Sequence, residues 1–209
     1  MMKNLPNSHT ATRASFLVLI FCLTKTTTLF AHVHGDATIG LASGFQHPIS
    51  GLDHVLAMVA VGIWGAQLGA PAFWLLPVVF PLVMACGGML GLIGINLPGI
   101  ELCIALSAIA LGFAVFSEAR PRLWIAVIIV GFFAIAHGHA HGTELPEGAN
   151  GILYSMGFVV ATGLLHAVGI AIGLVHRWSG GRIALRFAGA FVAIGGVFFL
   201  WKAITGADV

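Results

Sequence analysis

The sequence predicts an all-α fold: an integral membrane bundle of six transmembrane helices after a cleaved N-terminal signal peptide. Three observations predict it. Of 209 residues, 59% are hydrophobic and only 8% charged, which leaves too little polar surface for a soluble domain to stay dispersed. The apolar residues gather in six runs of the length that crosses a ~30 Å hydrocarbon core as helix, without the alternation of a membrane barrel. A basic stretch with a short apolar core precedes them, in the form of a secretory leader.

The leader comes first. Lys3 and Arg13 supply its basic region, Phe16 to Leu23 its apolar core, and Phe30-Ala31-His32 a small residue for cleavage after Ala31, so residues 1–31 read as signal peptide and 32–209 as one transmembrane domain. The competing form is an uncleaved anchor, because Leu29 stands where a small residue is usual and Lys25 follows the core. The six spans follow at Gly51 to Leu68, Phe73 to Leu97, Ile100 to Phe116, Leu123 to His139, Ile152 to Val175 and Ile183 to Trp201. Their connections are too short for a second domain. Small residues four apart, Gly87 with Gly91, Gly169 with Gly173, and Gly189 with Ala193, let neighbouring helices approach closely.

Charge sets the orientation. Arg120, Arg122, Arg177 and Arg182 lie in loops on one side, with Arg186 just inside the last helix, whereas the remaining loops hold Asp36, Glu101, Glu144 and Glu147 but no Lys or Arg. The positive-inside rule puts the arginines in the cytoplasm, and a leader puts the mature N-terminus outside, so both termini face the periplasm. A net charge of +2 without a basic stripe excludes nucleic acid as a partner; the bilayer is the expected surrounding. Cys86 and Cys103 fall in apolar runs and suggest neither a disulfide framework nor a zinc finger.

Two polar clusters interrupt this apolar pattern on the periplasmic side. In H-P-I-S-G-L-D-H, Pro48 reads as a helix start or the loop before it, and seven residues separate His47 from His54 by nearly two turns, so that the two stack beside Asp53. An ionisable side chain at membrane depth costs roughly 3 kcal/mol on insertion scales, which marks Asp53 and His54 as functional. In A-H-G-H-A-H-G-T-E, His137, His141 and Glu144 share one face if the helix continues through Gly138 and Gly142, and His139 then points elsewhere. The glycines allow an unwound segment equally. Imidazoles with a carboxylate suit nickel, cobalt, zinc or copper rather than magnesium or calcium.

His166, near the middle of the fifth span, reads as a further ligand or relay, or as a lone interhelical hydrogen-bond donor. Glu101 reads as a solvated cap and His176 as interfacial. Cleavage after Ala31 would expose His32-Val33-His34, whose free amine, amides and third-position imidazole form a planar nitrogen set for Cu(II) or Ni(II). The metal-ligating candidates are therefore His32, His34, His47, Asp53, His54, His137, His139, His141, Glu144 and His166.

These motifs, H-x5-D-H at His47, Asp53 and His54 followed by Ala57-Met58, and H-G-H-A-H-G-T-E from His137 to Glu144, resemble those of the HupE/UreJ family of bacterial nickel and cobalt permeases. The resemblance spans nearly the whole chain and departs at Ala136, where phenylalanine is expected. It implies a multi-pass protein of the inner (cytoplasmic) membrane for secondary uptake of Ni(II) or Co(II), with the histidines and acids of both motifs needed for transport. The ion is then cargo, with no tightly bound cofactor, and a homo-oligomer is compatible with this reading. The chain lacks G-x-x-x-x-G-K-[ST], so it does not hydrolyse ATP and is not expected to be an enzyme. The rival expectation is a membrane-embedded zinc-dependent hydrolase using the same cluster, with Asp53, Glu144 or Ser50 moving protons.

Overall fold

The computed structural model describes residues 36–145 and 148–206. The signal-peptide reading, and His32 and His34 with it, lie outside them. Among the described residues the chain is all-helical: α1 Asp36–Ser50, α2 Leu52–Leu68, α3 Ala72–Leu92, α4 Ile100–Phe116, α5 Leu123–Thr143, α6 Gly151–Gly173, a 3-10 turn Leu174–Arg177, and α7 Ser179–Thr205. Each apolar run is helical over most of its length. By length and composition four helices suffice to cross a membrane, α3, α5, α6 with its 3-10 turn, and α7; a fifth is reached if α1 and α2, bent by 81°, count as one span, and α4 is shorter. Large apolar side chains point outward along them, Phe187, Phe191, Ile194, Ile128 and Phe132 all being at least 60% exposed. In water such a surface would aggregate, whereas lipid solvates it.

Three differences from the sequence expectation bear on the site. Pro48 lies in the last turn of α1 rather than at a helix start, and the following helix begins at Leu52. His47 and His54 consequently sit on two helices across a sharp corner instead of stacking on one. Gly51 occupies that corner because of space: a Cβ there would lie 2.9 Å from Asp53 Oδ1 and 3.0 Å from His54 Nδ1. The second apolar run stops being helix at Leu92 rather than Leu97, because Gly94 turns to φ 76° and the amides of Gly94 and Ile95 fold back on the carbonyls of Gly91 and Leu90, a glycine-terminated helix end. Conversely, α5 runs through Gly138 and Gly142 to Thr143, which decides for continuous helix over an unwound segment.

Glycine seams determine how the helices pack. Gly87 and Gly91 of α3 face Ile135 and His139 of α5, and Gly138 and Gly142 of α5 face Met84 and Gly88 of α3. Backbone therefore touches backbone along this pair, close van der Waals packing of the kind that holds helices together where lipid removes the hydrophobic drive. Similar seams join Gly62 of α2 to Gly169 of α6 and Gly112 of α4 to Gly189 of α7. Trp64, Leu76, Phe80, Met58 and Met84 fill the centre, each no more than 2% exposed. Above this apolar plug, at the end where α1 meets α2 and where α5 finishes, the buried side chains become histidines.

Candidate metal centre

The helical period explains why α5 interleaves glycine with histidine. Residues 138 and 142 lie four apart on the stripe that faces α3, while 137 and 141 lie four apart on the adjacent stripe, about 100° round the helix. The glycines bring α5 against α3, and the histidines turn toward α1, α2 and α6. His139 falls on neither stripe and leaves the group: its Nε2 donates to the Ile95 carbonyl at 2.6 Å, a carbonyl left outside helix by the early end of α3.

The two motifs meet around His141. Its ring lies 4.6 Å from that of His47, 4.4 Å from that of His54 and 4.2 Å from that of Phe158, centroid to centroid. His54 is in turn 4.8 Å from His137. Ligand atoms of His47, His141 and Glu144 lie within 4.8 Å of one another, which joins α1 to the end of α5. His166 lies deeper: the Phe80 ring stands between it and His137, at 5.3 and 5.6 Å. Pro81 lacks the amide that would bond the Pro77 carbonyl within α3, and both ring nitrogens of His166 are buried without a hydrogen-bond partner.

Protons can be placed on part of this group. Asp53 Oδ1 accepts from the His54 amide at 2.8 Å and from His54 Nδ1 at 2.9 Å. A carboxylate only accepts, so Nδ1 carries a proton, and in the neutral ring Nε2 keeps its lone pair. That Nε2 is buried without a partner, as are His137 Nδ1 and both ring nitrogens of His141. An unpaired buried polar atom costs roughly 1–3 kcal/mol, so four together signal a ligand rather than a packing solution. At the mouth of the group, His47 Nε2 and Glu144 Oε2 lie 3.0 Å apart, and an entering cation would replace the proton between them.

The hydrogen bond from His47 holds the Glu144 carboxyl below the ordinary carboxylate range, against burial, which raises it. Because the folded pKa is depressed, the stability that Glu144 contributes is present above the ordinary value of 4.5 and is lost as pH falls through the folded value. In metal-free detergent solution the full chain should therefore melt above Glu144→Gln at neutral pH, with the gap closing as pH falls below the ordinary carboxyl value of 4.5. A gap that persists unchanged through that fall would refute the pairing.

Phe80, Tyr154 and Ser107 were not legible as site residues. The hydroxyl of buried Tyr154 has no partner, and its ring is 5.9 Å from that of His47; Ser107 Oγ is 2.9 Å from His137 Nε2. Single aromatic and serine residues in apolar runs carry no spacing signal. Glu101, expected as a solvated cap, is exposed but lines a cavity at the same end with Asp53 and Lys202.

The family model described as HupE / UreJ protein matches residues 19–199. The chain is also 45% identical, over 172 residues, to Protein HupE of Rhizobium leguminosarum bv. viciae, an alignment covering 81% of this chain and 88% of the relative. No solved structure matches.

Proposed function

The chain belongs to the HupE/UreJ family, associated with nickel and cobalt transport, and from that premise we propose that it carries Ni(II) or Co(II) by secondary uptake from periplasm to cytoplasm. The convergence of His47, His141 and Glu144, donor atoms within 4.8 Å across two helices, is the observation that supports this reading best. Nitrogen-rich ligation with one carboxylate favours late first-row divalent cations over magnesium and calcium. Three donors leave coordination positions to water, and a site that is not a closed cage can release its ion.

In this reading residues 1–31 are a removed signal peptide, residues 32–209 form the permease, and His32 and His34 at the new terminus capture the ion. The bent α1–α2 unit, α3, α4, α5, α6 and α7 make six crossings of the inner membrane with both termini periplasmic. The ion enters between His47 and Glu144 and passes to His141, His54 and His137, with Asp53 orienting His54. Phe80 separates this group from His166, the next donor inward, while the tie of His139 to Ile95 leaves it a structural part. Arg182, paired with Glu118 at 2.7 Å, and Arg186, over the Phe116 ring at 5.3 Å, mark the opposite, cytoplasmic end. Transport rather than catalysis fits the family, and no observation favours the hydrolase expectation.

Uptake of radioactive nickel into proteoliposomes tests the proposal. Accumulation by the full chain should fall sharply in His54→Ala and His137→Ala. Metal-dependent hydrolysis without flux would reject it.

A further inference from the structure

We infer that Ser107 is a positioning residue, not recognisable in either histidine motif, that fixes the proton of His137 on Nε2 and so turns the Nδ1 lone pair toward the cation. The inference rests on the transport reading for its purpose, though not for its geometry. Ser107 lies in α4, fully buried, and its Oγ has two neighbours: the Ile104 carbonyl at 2.6 Å and His137 Nε2 at 2.9 Å. A hydroxyl has one hydrogen and two lone pairs. The carbonyl can only accept, so the shorter contact takes that hydrogen. Oγ then offers His137 only a lone pair, and Nε2 must be the donor.

The consequence is specific because a neutral imidazole carries one ring proton. With Nε2 protonated, Nδ1 is the nitrogen that can bind a metal, and His137 Nδ1 is buried without any partner while its ring packs edge-on to that of His54 at 4.8 Å. Asp53 does the complementary work on His54, holding the proton on Nδ1 and releasing Nε2, which is also unpartnered. Two neighbouring imidazoles are thus set in opposite tautomers by two different outer partners, a carboxylate and a hydroxyl. Outer partners of this kind hold ligand rings in place and commonly change metal affinity by about 10- to 100-fold when removed.

Nitrogen-15 spectra of histidine in the metal-free full chain, in detergent, test the proton placement, with His137 assigned by its loss in His137→Gln. The expected wild-type spectrum shows a protonated Nε2 and an unprotonated Nδ1. Ser107→Ala should mix the two tautomers and weaken Ni(II) binding by about 10- to 100-fold, and Ser107→Thr, which keeps a hydroxyl, should restore both readouts. If Ser107→Ala does not fold, the wild-type spectrum and Ser107→Thr decide. A protein that binds nickel but protonates His137 Nδ1 overturns this inference and leaves uptake standing. One with the expected tautomer that binds no nickel upholds the proton placement and overturns uptake.

Discussion

His141→Ala should abolish nickel accumulation in proteoliposomes, a fall on the order of 100-fold or more, beyond the usual cost of losing an outer partner. Among the described residues no other histidine packs on both halves of the group: its ring packs on His47 at the mouth and on His54 behind it, and both of its nitrogens lack a hydrogen-bond partner. Deleting His47 spares the inner imidazoles, and deleting His137 spares the outer three donors, but deleting His141 breaks both. The control is His139→Ala, two residues away. It removes one hydrogen bond to Ile95, worth about 0.5–1.5 kcal/mol of stability, and should keep most of the flux. Equal losses in the two variants, measured as initial uptake per folded protein, would mean that the histidines act as a tract rather than as a site.

Gly138→Ala is expected to have the largest structural effect. A methyl at this position meets the Met84 carbonyl oxygen and carbon and, at 2.9 Å, the Gly88 amide nitrogen. All three are backbone, so no side-chain rotation relieves the clash and α3 must move away from α5. Overpacking of this kind costs about 1–3 kcal/mol where side chains can adjust, and a rigid seam places it at the upper end. Because α5 also carries His137, His141 and Glu144, the melting temperature and nickel uptake should fall together. Gly131→Ala on the same helix is the contrast: its Cβ meets only Val83 Cγ2, at 3.9 Å, and alanine favours helix by about 1 kcal/mol over glycine. If Gly138→Ala melts and transports like wild type, the close approach of α3 and α5 is not what positions the site.

The apolar runs were legible because a bilayer imposes length and composition on whatever crosses it. The third run matched α4 to the residue, Ile100–Phe116, since Gly99 and Ser117 bracket it without ambiguity. The second did not: Ile93 to Leu97 is nearly as apolar as helix, and only the fold-back of two amides onto α3 ends it. The helix preceding His47 was missed altogether, for its composition is mixed and Pro48 near its end resembles a start signal. The histidines and acids stood out because ionisable groups are costly in lipid, whereas Ser107, Phe80 and Tyr154 look like ordinary membrane residues until neighbours are known.

By itself, the sequence determined the apolar helical character of the chain, that its two polar motifs gather at one end and the donor chemistry they offer, because each of these follows from residue type and local spacing. Only the tertiary structure decided which donors meet. His47 and His54 part at an 81° corner and rejoin at His141, and His139 is drawn off to a loop carbonyl. Contacts across helices depend on bend angles and on backbone separation at the glycine seams, and neither quantity is written in the period of a single helix.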